Sequence, residues 1–97
     1  MLEQDVETVR RIVLDGLRES GARAYLFGSA ARGALRRTSD IDVGVLSTRP
    51  LQPGTLAGIR EALEESSVLC PVDLVDLSET DDGFRSRVLA EGVPWIE

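Results

Sequence analysis

Two aspartates separated by one isoleucine, Asp40 and Asp42, are the residues whose types and spacing most clearly permit chemistry. They lie in the segment 40–47, DIDVGVLS, whose alternation is typical of a β-strand. Residues two apart in a strand point to the same side, so the two carboxylates share one face. Two carboxylates about 4 Å apart repel by roughly 4 kcal/mol at an effective dielectric of about 20. The pair therefore requires solvent, arginine, a shared proton or a divalent cation to relieve the repulsion.

A third carboxylate can come from the segment 70–77, CPVDLVDL, which is also typical of a strand. Asp73 and Asp76 are three residues apart there and so lie on opposite faces. Either of them can join the pair if its strand lies beside the segment 40–47. Three carboxylates that offer only oxygen ligands suit Mg²⁺ or Mn²⁺. Two such ions can activate an attacking hydroxyl and neutralise a departing pyrophosphate.

A Gly-Ser pair, Gly28 and Ser29, separates an apolar run at 22–27 from a short helix predicted over 30–33, for which Ser29 is a suitable cap. A tight turn that enters a helix directs backbone amides at an anion such as a triphosphate, and glycine permits a close approach. Taken alone, such a turn is more often a simple cap, and an Asp-x-Asp strand is more often a solvated face. The combination of the two is what indicates a site.

The composition narrows the chemistry further. The chain has no histidine, which excludes Ser-His-Asp and Cys-His catalysis and histidine zinc sites. All 11 basic residues are arginine. The spacing from Gly28 to Gly33 fits half of a phosphate-binding P-loop, but Ala34 and Leu35 stand where lysine and serine or threonine are required. Any reaction must therefore use carboxylates, hydroxyls, backbone amides, arginines and bound metal.

The elements that position these residues follow from hydrophobic periodicity. Apolar residues at every third or fourth position predict an amphipathic helix over 5–19 and a second long helix around 56–63. We predict strands at 22–27, 40–47 and 70–77, a loop at 78–83, a last helix at 84–92, and either a short strand or an extended tail at 93–97. This order predicts an α/β domain, a small mixed β-sheet with helices packed on it.

The size and charge limit the class of protein. With 97 residues we expect one domain spanning 1–97. The net charge of −6 disfavours direct nucleic-acid binding, which depends on a basic face. No apolar run is long enough to span a membrane and no leader precedes the first helix, so we expect a cytoplasmic protein without membrane association.

A Gly-Ser pair, ten intervening residues, Asp-x-Asp and an acid in a later strand together resemble the signature of the polymerase-beta-like nucleotidyltransferase superfamily. The segment GSAARGALRRTSDIDVGVL at 28–46 is similar to the corresponding block of its minimal nucleotidyltransferases (MNT domains), short prokaryotic chains. The segments PVDLVDL at 71–77 and FRSRVLAEGVPWI at 84–96 are similar to their third-carboxylate strand and C-terminal helix and strand. The resemblance covers essentially the whole chain and implies the polymerase-beta-like nucleotidyltransferase fold.

The resemblance also implies a set of functional residues. The pair Gly28 and Ser29 would bind the triphosphate of ATP, the expected substrate. Asp40, Asp42 and Asp73 would be the catalytic carboxylates and the ligands of Mg²⁺ or Mn²⁺, with Asp76 as the alternative to Asp73. The implied reaction is the transfer of AMP from ATP to a protein hydroxyl.

The resemblance implies a biological setting as well. MNT proteins are commonly antitoxins paired with an all-helical HEPN-domain ribonuclease toxin, which they can silence by adenylylating a tyrosine. A HEPN toxin is therefore the expected partner. Two alternatives stay open: an antitoxin that neutralises the toxin by binding alone, and a stand-alone nucleotidyltransferase acting on a small molecule.

Overall fold

The chain folds into a four-stranded mixed sheet with helices on both faces, and the computed structural model describes residues 2–31 and 40–95. The helices are α1 (Leu2–Leu17), α2 (Gly28–Ala31), α3 (Thr55–Glu64) and α4 (Asp82–Glu91), and a 3₁₀ turn spans Leu77–Glu79. The strands are β1 (Arg23–Phe27), β2 (Ile41–Leu46), β3 (Val72–Asp76) and β4 (Val93–Trp95). Their order is β3-β2-β1-β4, with β2 parallel to β3 and β1 antiparallel to both of its neighbours. The mixed sheet expected from the sequence is confirmed.

The main core lies on one face of the sheet, beneath α1 and α3. Ile41, Val43 and Val45 alternate along β2 and are completely buried there, as the alternation of the segment predicts. The predicted stripe of α1 packs against them through Val9 and Val13, which are also completely buried. Burial of this continuous apolar face fixes which side of β2 points inward, and therefore which side carries the aspartates.

The second face of the sheet, defined here as the side that carries Phe27, Asp42 and Asp73, is covered in part by α4. Phe27 and Phe84 of α4 meet edge to face, with ring centroids 5.7 Å apart and planes at 84°. They pack beside a smaller buried cluster that includes Leu77 and Val88. Asp42 is half-buried and Asp73 is exposed on this face. The acids thus lie beside α4 on a surface that solvent reaches.

The region around 78–83 differs from the loop that the sequence predicts. It contains the end of the 3₁₀ turn and the first residues of α4. The backbone N–H of Ser78 donates to the Asp76 carboxylate at 3.0 Å, and that of Phe84 donates to the Asp81 carboxylate at 2.7 Å. These two acids cap the turn and the helix, which is why a polar segment is ordered into helical turns.

Two further boundaries affect the site. Helix α2 begins at Gly28, so Ser29 lies within its first turn instead of capping it from outside. Residues 32–39, which include the end of the predicted short helix and the polar connection, lie outside the described residues. The C-terminal segment forms a strand over Val93–Trp95, and residues 96–97 lie outside the description. Within the described ranges, none of the helices has the length and apolar character needed to cross a membrane.

Candidate active site

Asp42 and Asp73 lie side by side on the second face. The parallel register of β2 and β3 places Asp42 directly opposite Asp73. Strands paired in a sheet lie about 4.8 Å apart, and directly opposite residues point to the same side. Asp40 immediately precedes β2 and is exposed. The register therefore brings one acid of the segment 70–77 next to the Asp40 and Asp42 pair.

Asp76 is placed away from this group. It lies opposite Val45, whose side chain points into the main core, so it belongs to the other face of the sheet from Asp73. Its carboxylate accepts hydrogen bonds from the backbone N–H and the Oγ of Ser78, at 3.0 and 2.6 Å. Of the two acids that the sequence left open, Asp73 is the neighbour of Asp42, and Asp76 is a capping residue.

Gly28 lies directly against Asp42. Its φ of +75° is in the left-handed region, which favours glycine. A Cβ atom added there would collide with Oδ2 of Asp42 and would come within 3.2 Å of its Cγ. The first residues of α2 are thus in contact with the carboxylate group. The side chain of Ser29 lies outside the described part of the chain.

The acids on the second face repel one another. Partial burial, followed by the charges of Asp73 and Asp40, raises the pKa of Asp42 above its ordinary value of 3.8. Within residues 2–31 and 40–95, no arginine forms an ion pair with any of these three acids. Among the described residues no ion pair with arginine offsets the repulsion, so it must be relieved by solvent, a proton or an added cation.

The donor set fits a divalent cation. Carboxylate oxygens are the ligands that Mg²⁺ and Mn²⁺ prefer. Among the residues that the structure describes, no three acidic, cysteine or histidine side chains are already gathered closely enough to enclose an ion. Asp40 and Asp73 are exposed, and exposed side chains change rotamer readily. Binding would therefore draw the carboxylates together around the ion.

Replacing Asp42 by asparagine is expected to stabilise the isolated chain at neutral pH when no divalent cation is present. Because the pKa of Asp42 is raised in the folded state, protonation stabilises the fold fully below the unfolded pKa, about 3.8. This stabilisation is lost as the pH rises through the folded-state pKa. The neutral amide of the variant carries no charge at pH 7, so it avoids the destabilisation that the ionised Asp42 carboxylate causes in the folded state. We expect the free energy of unfolding to rise by a few tenths to about 1 kcal/mol, the range of solvent-screened charge pairs.

Urea unfolding in EDTA, at pH 7 and near pH 3, measures this difference. The gain of Asp42→Asn should be present at pH 7 and should vanish near pH 3, where both states of the wild-type carboxyl are protonated. Glu64→Gln, an exposed acid on α3, is the matched control and should show no such gain. Equal stability of wild type and Asp42→Asn at pH 7 would show that Asp42 is not under electrostatic strain.

Phe27 and Arg87 border the candidate site but are not among the residues predicted from the sequence motifs. Phe27 lies opposite Asp42 across the β1–β2 pair and therefore borders the acids. Arg87 of α4 lines the same cavity as Phe27 and Gly28. The position of Phe27 immediately before Gly28 was a signal that could have been used. The placement of Arg87 depends on how α4 packs on the sheet, which hydrophobic periodicity does not determine.

The chain is similar to known proteins in both sequence and fold. A family model described as polymerase beta, nucleotidyltransferase, matches residues 18–97. Over 64 residues the chain is 34% identical to a Haemophilus influenzae protein named probable protein adenylyltransferase MntA, an alignment covering 66% of this chain and 56% of that protein. The chain thus spans little more than half the length of this curated relative.

Solved structures share the fold of this chain, among them two that are 28% and 30% identical to it. One, provisionally identified as a minimal nucleotidyltransferase, superposes with a TM-score of 0.75 at 30% identity and covers 94% of this chain and 93% of that one. The other, described as a toxin-antitoxin with AMP-PNP, superposes with a TM-score of 0.70 at 28% identity and covers 90% of this chain and 72% of that one. Because the family match extends over residues 18–97, most of the sequence, the chain belongs to the polymerase beta nucleotidyltransferase family.

Proposed function

We propose that this chain is a divalent-cation-dependent nucleotidyltransferase that moves AMP from ATP to a hydroxyl group of a partner protein. The observation that carries the proposal is the position of Asp42, with Asp73 opposite it on β3 and Gly28 against its carboxylate. Nucleotidyl transfer can use such a combination, in which carboxylates hold a cation beside a turn that admits an anion. The name of the H. influenzae relative, a protein adenylyltransferase, supports the choice of reaction and acceptor.

In the proposed reaction the acceptor oxygen forms a bond to the α-phosphorus of ATP. The bond from that phosphorus to the oxygen bridging to the β-phosphate breaks, and pyrophosphate leaves with the bonding electrons. The backbone at Gly28 and Ser29 would hold the triphosphate beside Asp42. One of the two carboxylates, Asp42 or Asp73, would accept the single proton that the acceptor hydroxyl loses. Mg²⁺ or Mn²⁺ held by Asp40, Asp42 and Asp73 would neutralise the phosphate charge when bound.

We further propose that the acceptor is a tyrosine of a HEPN-domain toxin and that the chain acts as its antitoxin in the cytoplasm. The solved toxin-antitoxin structure with an ATP analogue, 28% identical to this chain, supports the setting. The net charge of −6 also favours docking on a basic, RNA-binding partner. The choice of a tyrosine as acceptor is what the family resemblance implies.

The position of a radioactive label in ATP tests the reaction. The purified chain is incubated with Mg²⁺, its HEPN-domain partner protein, and ATP labelled at either the α- or the γ-phosphate. We expect the α-label on the partner protein and the γ-label in released pyrophosphate. A γ-label on the partner would show phosphoryl transfer, and no label on the partner from either ATP would contradict the catalytic proposal.

A second candidate function is neutralisation by binding alone. One observation favours it: the net charge of −6 suits docking on a basic, RNA-binding partner whether or not a reaction follows. The double variant Asp40→Asn with Asp42→Asn, expressed together with the toxin, separates the two functions. A catalytic antitoxin loses protection of the cells in this variant, whereas an antitoxin that acts by covering the toxin keeps it.

A further inference from the structure

A cavity of about 240 Å³ adjoins the candidate active site between the end of β1 and α4. Its lining in the described residues includes Phe27, Gly28, Phe84, Arg87 and Glu91. Phe27 lies opposite Asp42 in the β1–β2 register, and Gly28 contacts the Asp42 carboxylate. The cavity is therefore continuous with the place where the phosphates of a nucleotide would lie.

The chemistry of the lining suits a flat ring with polar edges. Two phenylalanine rings and the side chains of Ala31 and Val88 form apolar walls. Arg87 and Glu91 lie one turn apart on α4 and supply a donor and an acceptor. Within the described part of the chain the Arg87 guanidinium forms no hydrogen bond or ion pair, whereas Arg85 is bonded to Leu77 and Thr80. Arg87 is therefore available to a ligand.

These features distinguish between the parts of a nucleotide. A phosphate group would meet apolar walls and the negative charge of Glu91, both of which disfavour it. A nucleobase presents an aromatic face that packs on phenylalanine and an edge that exchanges hydrogen bonds with charged side chains. The described part of the lining thus suits the base better than the triphosphate.

We propose that this cavity receives the base of the donor nucleotide, with Phe84 packing against the ring and Arg87 contacting it from the rim. The inference rests on the proposed function, since it supposes that ATP is the donor. The donor is favoured over an aromatic ring of the acceptor because Gly28, from the turn assigned to the triphosphate, lines the cavity. Asp73, on the far side of Asp42, does not.

Calorimetric titration of the chain with ATP and with inorganic tripolyphosphate, each in Mg²⁺ and without any acceptor, tests the inference. Arg87→Ala is expected to weaken ATP binding by about 10- to 140-fold, the range of a lost hydrogen bond to a charged group. Phe84→Leu keeps most of the apolar volume and is expected to weaken it by about 5- to 100-fold, the range of a lost base-stacking contact. Tripolyphosphate binding should stay the same in both variants.

Arg11→Ala, which removes an exposed arginine of α1, is the matched control for net charge and should leave both affinities unchanged. Circular dichroism of each variant verifies folding. Equal weakening of ATP and tripolyphosphate by Arg87→Ala would place phosphates in the cavity and overturn the inference. Unchanged ATP affinity in both cavity variants, or no preference of wild type for ATP over tripolyphosphate, would also overturn it.

The titration and the labelling experiment test different proposals, and either one can fail without the other. If the chain binds ATP and shows these variant effects but transfers no AMP, the base-binding cavity is supported and the proposed catalytic function is wrong. If the chain transfers AMP and the Arg87→Ala and Phe84→Leu variants have unchanged kinetics, the proposed function is supported and the assignment of the cavity to the base is wrong.

Discussion

The variant Gly28→Ala is expected to lose AMP transfer by about 100-fold or more while remaining folded. For a residue with a Cβ atom, the left-handed region that Gly28 occupies at φ +75° costs roughly 1–2 kcal/mol. The added Cβ also meets the carboxylate of Asp42, which must move away. Displacing a reacting group by about 1 Å can cost about 100-fold in rate, so the loss of activity should exceed what the loss of stability explains.

Gly21 provides a matched control for this prediction. Its φ of +73° is nearly the same, and a Cβ atom added there meets nothing within 4 Å. Gly21→Ala should therefore lose a similar free energy of unfolding and keep the wild-type rate of transfer. Urea unfolding and the labelled-ATP assay on both variants give the comparison. If Gly28→Ala transfers AMP as fast as Gly21→Ala, the contact between Gly28 and Asp42 has no role in the reaction.

The local features of the fold could be predicted from the sequence because they depend on periodicity. The alternation of Ile41, Val43 and Val45 assigned those residues to the core, and it assigned Asp42 to the opposite face. The stripe on α1 predicted the helix that covers the core. These predictions are confirmed because burial of an apolar face decides the orientation of each element.

Features that depend on long-range pairing could not be predicted in the same way. Asp73 and Asp76 are both strand acids, and only the parallel register of β2 with β3 shows which one lies beside Asp42. That register is set across a connection that includes all of α3, so it is not encoded in either segment. The packing of α4, which brings Phe84 and Arg87 to the end of β1, has the same origin.

We expect the largest difference in the rate of AMP transfer between the variants Asp73→Asn and Asp76→Asn. Asp73 and Asp42 are opposite residues of adjacent strands, so the asparagine at 73 removes one negative charge from the proposed metal site without a change in size. A divalent ion is worth several kcal/mol to a phosphate transfer, and about 4 kcal/mol corresponds to about 1,000-fold in rate. Asp76 accepts two hydrogen bonds from Ser78, which an asparagine oxygen can also accept.

The role of Asp73 is measured by the initial rate of α-labelled AMP transfer to the partner protein by these two variants, at equal concentration and in saturating Mg²⁺. We predict a loss of about 1,000-fold for Asp73→Asn and a rate within about 2-fold of wild type for Asp76→Asn. Retention of activity by Asp73→Asn, or equal losses in the two variants, would contradict a reaction centre built on Asp42 and Asp73.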